Sequence, residues 1–390
     1  MNNKTSLFRI VLLITILAGG LRIYAAKRLY GYGDEPTYMK VAVNYANILR
    51  SGKYNMLASF NQNYEHPSLY KILYGAALLT RQPIDNFSSE QLYFNQPAST
   101  TNVAVWIMTD RYVSVIFGTL AVMILAIVNP LAGLFFAVDT LSVNYTSEVY
   151  LEALPLLTSL LCAIAYLRWF DQVSKSSTGS HRINGWLVIS ALFLGLTAAS
   201  KYIYCVIGLV IVLHFVLAVI QRQITPRFLF YLMGWAFLAA VIFFIFDPNL
   251  WPDPVARLSQ SIQYNINYSH SDLVVTHPYP FWQPLRWLWA FSSYFNWNPR
   301  LAFLFDVDAP IFVLAMLGLP RLFQKKRFFF YWLVVGLVFL FLWNTKWSQY
   351  TLIVMVPFCI SAAEGWFTAR DLGKKFLLPS KSAAHNSEGS

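Results

Sequence analysis

The sequence predicts an all-α polytopic membrane protein, a bundle of about ten transmembrane helices with two outer loops that carry juxtamembrane helices. Of its 390 residues, 57% are hydrophobic and only 12% are charged, whereas soluble domains contain roughly 25% charged residues. The mean hydropathy is +0.48. The apolar runs lack the two-residue alternation of a β-barrel, so helices are the way for them to satisfy their backbone in lipid.

Ten apolar runs are predicted to cross the membrane: 7–26, 104–128, 131–145, 151–168, 185–200, 202–220, 228–246, 309–319, 328–343 and 350–368. A signal peptide is the alternative for the first run, but about 20 residues suffice to span a bilayer and many spans follow. The run 131–145 is short for a hydrocarbon layer of roughly 30 Å. Residues 72–80 form a still shorter run, which we interpret as a surface or re-entrant helix.

The charge distribution predicts the orientation. With the amino end inside, the basic residues gather on the inner face: Lys4, Arg9, Arg168, Lys175, Arg182, Arg222, Arg227, Arg321, Lys325, Lys326, Arg327, Arg370, Lys374 and Lys375. Most acidic residues then lie outside. The net charge of +11 is therefore interpreted as a topology signal, and no nucleic-acid partner is expected. We expect a multi-pass protein of the plasma (inner) membrane with its chemistry on the extracytoplasmic face.

Residues 1–375 are predicted to form one transmembrane domain, and the polar residues 376–390 a disordered cytoplasmic tail. The outer loops span residues 27–103 and 247–308. In the first, Pro36 suits the first turn of an amphipathic helix that would lie in the membrane interface. The second is rich in aromatic residues, which are typical of the headgroup level.

Two adjacent carboxylates, Asp34 and Glu35, follow the first span directly. At a boundary between lipid and water, a carboxylate pair can meet both a lipid-borne substrate and a soluble acceptor. The alternative is that both acids only cap the following helix and complement its dipole.

Several segments in order resemble a known family. They are GDEPTYMKVAVN from Gly33, SGKYN from Ser51, YEHPSLYK from Tyr64 and TDRYVSVIFGTL from Thr109, with later echoes in GLTAASKYIY from Gly195 and TKWSQYTLIVMVPF from Thr345. This order resembles the GT-C superfamily of lipid-carrier-dependent glycosyltransferases, the family 39 enzymes similar to protein O-mannosyltransferases and lipid A aminoarabinose transferases. The first-loop segments are the specific part of the resemblance.

The resemblance implies transfer of a sugar from a polyprenyl-phosphate donor to a protein, lipid or glycan acceptor, with inversion at the anomeric carbon. Asp34 matches the position of the catalytic carboxylate, which takes the acceptor proton or orients the acceptor. Glu35 is its neighbour and is expected to tune it.

Glu65 matches the family's second acidic position, where a carboxylate binds a divalent metal or positions the donor phosphate. His66 stands where related enzymes often have a lysine, which replaces a permanent charge by one that titrates near neutrality. His277, and less readily His270, could complete a metal site with Glu65. Packing within the loop is the alternative for both histidines.

A departing lipid phosphate requires fixed cations. Lys201 and Lys346 are the first candidates, because each follows a span in a family-like context, although lysines at helix ends also extend towards the interface without other function. Arg111 comes next, with topology or backbone capping as its commoner role. Glu148 and Glu152 fall near a position where relatives often carry an acid, but solvated charge is the simpler interpretation.

No phosphate-binding glycine loop is present, which argues against a nucleotide-sugar donor. A transporter or flippase of a lipid-linked saccharide is the competing hypothesis, and it predicts polar residues in broken helices at mid-membrane. A non-catalytic subunit of a larger assembly is the third.

Overall fold

The computed structural model describes residues 3–31, 33–60, 62–83, 98–101, 103–175, 185–276, 278–290 and 307–377. Within these ranges the α-helices, numbered in chain order, are α1 Asn3–Arg28, α2 Glu35–Ser51, α3 Met56–Ser59, α4 Leu69–Leu78, α5 Ala104–Val128, α6 Pro130–Val138, α7 Thr140–Tyr145, α8 Ala153–Lys175, α9 Gly185–Ser200, α10 Val206–Ile220, α11 Leu229–Phe246, α12 Pro254–Tyr268, α13 Asp272–Val275, α14 Gln283–Trp289, α15 Asp308–Lys325, α16 Arg327–Leu342 and α17 Met355–Leu377. The described part contains no strand, and the all-α fold class is confirmed.

Among the described residues, six helical segments are long and apolar enough to cross a bilayer: Thr5–Arg28, Ala104–Val128, Ala153–Lys175, Tyr202–Ile220, Pro226–Phe246 and Ser348–Lys374. Each coincides with a predicted span. The other four predicted spans fall on shorter or more polar helices, namely α6 with α7, α9, α15 and α16. The chain is therefore an integral membrane protein. From residue 378 the predicted tail lies outside the described residues.

The third predicted span is broken where α6 ends. Asp139 leaves the helical conformation and caps α7, because its carboxylate accepts a hydrogen bond from the Ser142 N–H at 2.7 Å. The buried guanidinium of Arg22 faces this carboxylate and donates to the Thr146 hydroxyl at 2.8 Å. Asp139 is an ionisable residue at membrane depth. Its role as the cap of α7 and the counter-charge of Arg22 explain its presence there.

Close packing of α15 on α17 depends on glycine. A Cβ atom built on Gly318 would overlap the carbonyl of Ser361, and one built on Gly365 would overlap that of Leu314. The Ser361 hydroxyl donates to the Ala315 carbonyl across the same contact, at 2.6 Å. Small residues at such an interface bring two helix backbones together where lipid supplies no hydrophobic driving force.

The first outer loop folds onto the bundle as a helix pair. Helix α2 packs against α4, where Gly75 lets the two backbones approach near Ala42 and Tyr45. Most side chains of α2 are buried, so this amphipathic helix is covered by protein on more of its surface than an interfacial helix would be. Ser68 at the start of α4 donates its N–H to Asp247 at 3.1 Å, which joins the two outer loops.

Candidate functional site

Asp34 lies where three chain segments meet. The turn before it requires glycine, because Gly33 has a φ of 62° and an added Cβ would collide with the Tyr150 hydroxyl. That hydroxyl accepts the Asp34 N–H at 3.3 Å, and the Gln349 amide donates to the carboxylate at 3.4 Å. Gln349 thus holds the carboxylate, while Tyr150 holds the backbone of the same residue.

The environment of Asp34 suits a proton acceptor. Surrounding protein raises the pKa of its carboxyl by desolvation, and the Lys201 ammonium partly opposes this. The residue is nevertheless exposed, so a substrate can reach it. A carboxylate with a raised pKa that a substrate can reach is a typical general base.

Lys201 points into the same region because α9 ends just before it. Its backbone is extended, with φ −162° and ψ 119°, and its side chain is 2% exposed. The ammonium forms a buried ion pair with Glu152 and lies 5.3 Å from the centre of the Tyr350 ring. The predicted cation is therefore held near Asp34.

The sequence interpretation of Glu148 and Glu152 as solvated charges was wrong. Both are fully buried in the segment between α7 and α8. Glu152 pairs with Lys201, and Glu148 accepts a hydrogen bond from Asn144 at 2.9 Å. The signal for Glu152 was its coincidence with an acidic position of the resembled family.

A cavity of about 640 Å³ opens beside Lys201. Its polar lining comprises Glu65, His66, Lys201, Ser261, Asn265, Ser269, Asn344, Thr345 and Tyr350. Its apolar lining includes Ile203, Phe243, Leu258, Ile262, Ile266, Leu342 and Trp343. The cavity thus combines charged groups with an apolar wall. A binding site for a lipid phosphate requires both, the charges for the phosphate and the apolar wall for the tail.

Lys71 holds the turn that carries Glu65 and His66. Lys71 is buried, and its ammonium donates to the carbonyls of Asn63 and His66 at 2.6 and 2.8 Å. Burial, with help from the Lys201 and Lys71 charges, lowers the pKa of His66 well below its usual value. His66 is therefore neutral at physiological pH, which corrects the expectation that it titrates near neutrality.

Glu35 and Arg111 bind each other. The guanidinium makes a bidentate contact with the carboxylate at 2.8 and 2.6 Å, and neither side chain is exposed. The Val149 N–H also donates to Glu35, at 2.8 Å. The remaining N–H groups of Arg111 donate to the carbonyls of Ala26, Leu29 and Tyr30. All five donors are thus engaged, so we revise both expectations: Arg111 caps the end of α1 instead of binding phosphate, and Glu35 is its counter-ion.

Lys346 is engaged in a similar way. Its ammonium donates to the last carbonyls of α16 and the residue after it, those of Leu340, Phe341 and Trp343. Cations stabilise a helix carboxyl terminus in this manner. All three N–H groups are occupied, so the structure favours capping over the predicted contact with donor phosphate.

The described residues do not form a metal site around Glu65. Its carboxylate accepts a hydrogen bond from Asn63 at 2.6 Å, and the His270 ring lies against the Ile266 carbonyl. No three His, Cys, Asp or Glu residues cluster as ligands in the part of the chain that is described. His277 lies outside that part. The divalent metal stays a prediction.

Two crystal structures of ArnT from Cupriavidus metallidurans share this fold, one in the apo state and one bound to undecaprenyl phosphate. Each superposes with a TM-score of 0.53 at 14% sequence identity, and the match covers 94% of this chain and 62% of ArnT. The chain thus spans somewhat less than two thirds of the ArnT length. No family model and no curated protein matches the sequence. The described helices thus share the overall fold of ArnT, in agreement with the fold that the sequence resemblance predicted.

Proposed function

We propose that the protein is a glycosyltransferase that moves a sugar from a polyprenyl-phosphate donor to an acceptor at the extracytoplasmic face of the plasma (inner) membrane. The observation that carries this proposal is the reachable Asp34 carboxylate beside the buried Lys201 and Glu152 pair. The cavity with its apolar wall and the fold shared with ArnT, which binds undecaprenyl phosphate, support it.

In the proposed reaction, an acceptor hydroxyl attacks the anomeric carbon of the donor sugar. Asp34 takes the hydroxyl proton, the new glycosidic bond forms, and the bond from the anomeric carbon to the phosphate oxygen breaks. Both electrons of that bond leave with the polyprenyl phosphate, and attack from the opposite face inverts the configuration. Gln349 orients the base through its hydrogen bond.

Lys201 stabilises the departing phosphate. Its ammonium has N–H groups beyond the one that contacts Glu152, and a fixed cation in a poorly hydrated site is worth more to a developing anion than one in water. Glu152 holds the ammonium in position and keeps the pair close to neutral before the donor arrives. The apolar cavity wall would accept the first isoprene units.

The test is release of free lipid phosphate from a panel of polyprenyl-phosphate sugars by the purified protein in lipid nanodiscs. We expect one donor to be consumed, and the Lys201→Met variant to be slower by on the order of 100-fold. Lys175→Met, which removes an exposed lysine, serves as the matched control and should be unaffected. A folded protein that consumes no donor of the panel would contradict the proposal.

A further inference from the structure

Helix α12 of the second outer loop presents different chemistry on neighbouring strips of its surface. Residues four apart share a strip of an α-helix. An apolar strip consists of Leu258, Ile262 and Ile266. The polar strip beside it consists of Ser261, Asn265 and Ser269, and both strips line the cavity. At 100° per residue, the strip beyond the polar one carries Tyr264 and Tyr268.

The two tyrosines form a parallel aromatic pair. Their rings are nearly parallel, at 7°, with centroids 6.1 Å apart, and the edge of Tyr64 packs on one end with its centroid 5.7 Å from that of Tyr264. Tyr264 is 36% exposed, whereas Tyr268 is half-buried. Tyr264 is therefore the ring of the pair that is more open to a ligand.

A chain of contacts connects the tyrosine pair to the proposed base. Tyr64, whose ring meets that of Tyr264, lies two residues before His66, whose ring centroid is 5.9 Å from that of Tyr38. The Tyr38 N–H in turn donates to the Asp34 carbonyl at 3.0 Å. The Asp34 charge also contributes to raising the pKa of both tyrosines of the pair. A molecule on the two rings would therefore lie on the same side of the site as Asp34.

We propose that Tyr264 and Tyr268 form the acceptor subsite and that the acceptor is a saccharide. A sugar ring offers a face of C–H groups that packs on aromatic rings, while its hydroxyl groups take hydrogen bonds from amide and hydroxyl side chains such as Asn265. This inference rests on the proposed function and specifies its acceptor.

The order of the strips agrees with this assignment. The apolar and polar strips both line the cavity, and the tyrosines follow next around the helix. In this arrangement the apolar strip takes the lipid tail and the exposed Tyr264 takes the acceptor, so one helix contacts both substrates through separate strips.

The experiment compares acceptors with the donor that the panel identifies. Mono- and oligosaccharides of hexoses and pentoses are tested beside Ser/Thr peptides, and KM is measured separately for acceptor and donor. We expect transfer to a saccharide, and Tyr264→Ala to raise the acceptor KM by about tenfold, as for loss of one aromatic stacking contact. The donor KM should stay within about twofold of wild type.

Three further variants make the result specific. Tyr264→Phe and Tyr268→Phe keep the rings and should retain acceptor affinity, whereas Tyr54→Ala removes a tyrosine of the first loop that is 61% exposed and should change nothing. Saturation-transfer NMR with the same saccharides, without donor, should show binding that Tyr264→Ala weakens. This readout stands apart from turnover.

The outcomes separate this inference from the proposed function. Donor consumption with transfer only to peptides, or saccharide transfer with an unchanged acceptor KM in a folded Tyr264→Ala variant, would overturn the tyrosine subsite and leave the transferase standing. Absence of donor consumption by the wild-type protein would remove both.

Discussion

The Glu35 and Arg111 pair gives the sharpest test of the structural assignment. Replacing Arg111 by Met leaves the Glu35 carboxylate buried with the Val149 N–H as its remaining hydrogen-bond donor, and it frees the carbonyls at the end of α1. Removal of one partner of a buried ion pair costs about 3–5 kcal/mol. We expect Arg111→Met to lower the free energy of unfolding by that amount.

The assay is thermal or denaturant unfolding in detergent or nanodiscs, compared with the double variant Arg111→Met/Glu35→Leu. Because the double variant leaves no charge unpaired, it should recover part of the lost stability. The exposed pair Lys175 and Asp171 is the matched control, and Lys175→Met should change the free energy of unfolding by less than about 1 kcal/mol.

A phosphate-binding role for Arg111 predicts the opposite pattern. If Arg111→Met unfolds like wild type while the donor KM rises strongly, the guanidinium contacts the donor and its assignment as a cap of α1 is refuted.

Three further predictions follow from the site and the bundle. Lys346→Met should lower the free energy of unfolding by about 1–3 kcal/mol, because it leaves carbonyls of α16 unpaired. The folded variant should keep the wild-type donor KM. A raised donor KM would instead indicate that Lys346 contacts the donor phosphate. Gly318→Ala should reduce the folded yield in membranes sharply, since the new methyl overlaps the Ser361 carbonyl, and a normal yield would contradict the close approach of α15 and α17. The transfer rate should rise with pH through an apparent pKa above 3.8, because the raised pKa of Asp34 keeps the carboxyl protonated to a higher pH than usual. As the pH falls through that pKa, the base becomes protonated and activity is lost. His66→Gln should leave this pH profile unmoved, because His66 is already neutral.

Much of the fold could be predicted from the sequence because the bilayer imposes a length and a polarity on each span. The predicted runs and the described helices coincide even where the span is short, as at residues 131–145. The break at Asp139 could not be located in this way, because it depends on Arg22, which is distant in sequence and reaches the end of α6 only in the folded bundle.

Hydropathy could not assign partners to the charged residues. Arg111, Lys346 and Lys201 all lie at or near the ends of apolar runs, and pattern alone treats them alike. The structure separates them by their partners. Arg111 is saturated by Glu35 together with backbone carbonyls, and Lys346 by backbone carbonyls alone. Lys201 instead meets a carboxylate beside a cavity.

Burial likewise distinguishes the roles of the two adjacent acidic residues. Glu35 follows Asp34 in sequence, but its side chain, at the first position of α2, is buried against Arg111, while Asp34 precedes the helix and stays exposed. Adjacency in sequence suggested a shared role, and helix geometry gives the two residues different ones.

The central claim is that Asp34 acts as the base in sugar transfer, and its most direct test is the Asp34→Asn variant in the lipid-phosphate release assay. Asparagine keeps the shape and the hydrogen bond to Tyr150 but cannot accept the acceptor proton. We expect a protein that unfolds like wild type and transfers sugar more slowly by about 10²- to 10⁴-fold, while Asp171→Asn, at an exposed aspartate, transfers normally. Wild-type transfer by a folded Asp34→Asn protein would contradict the account.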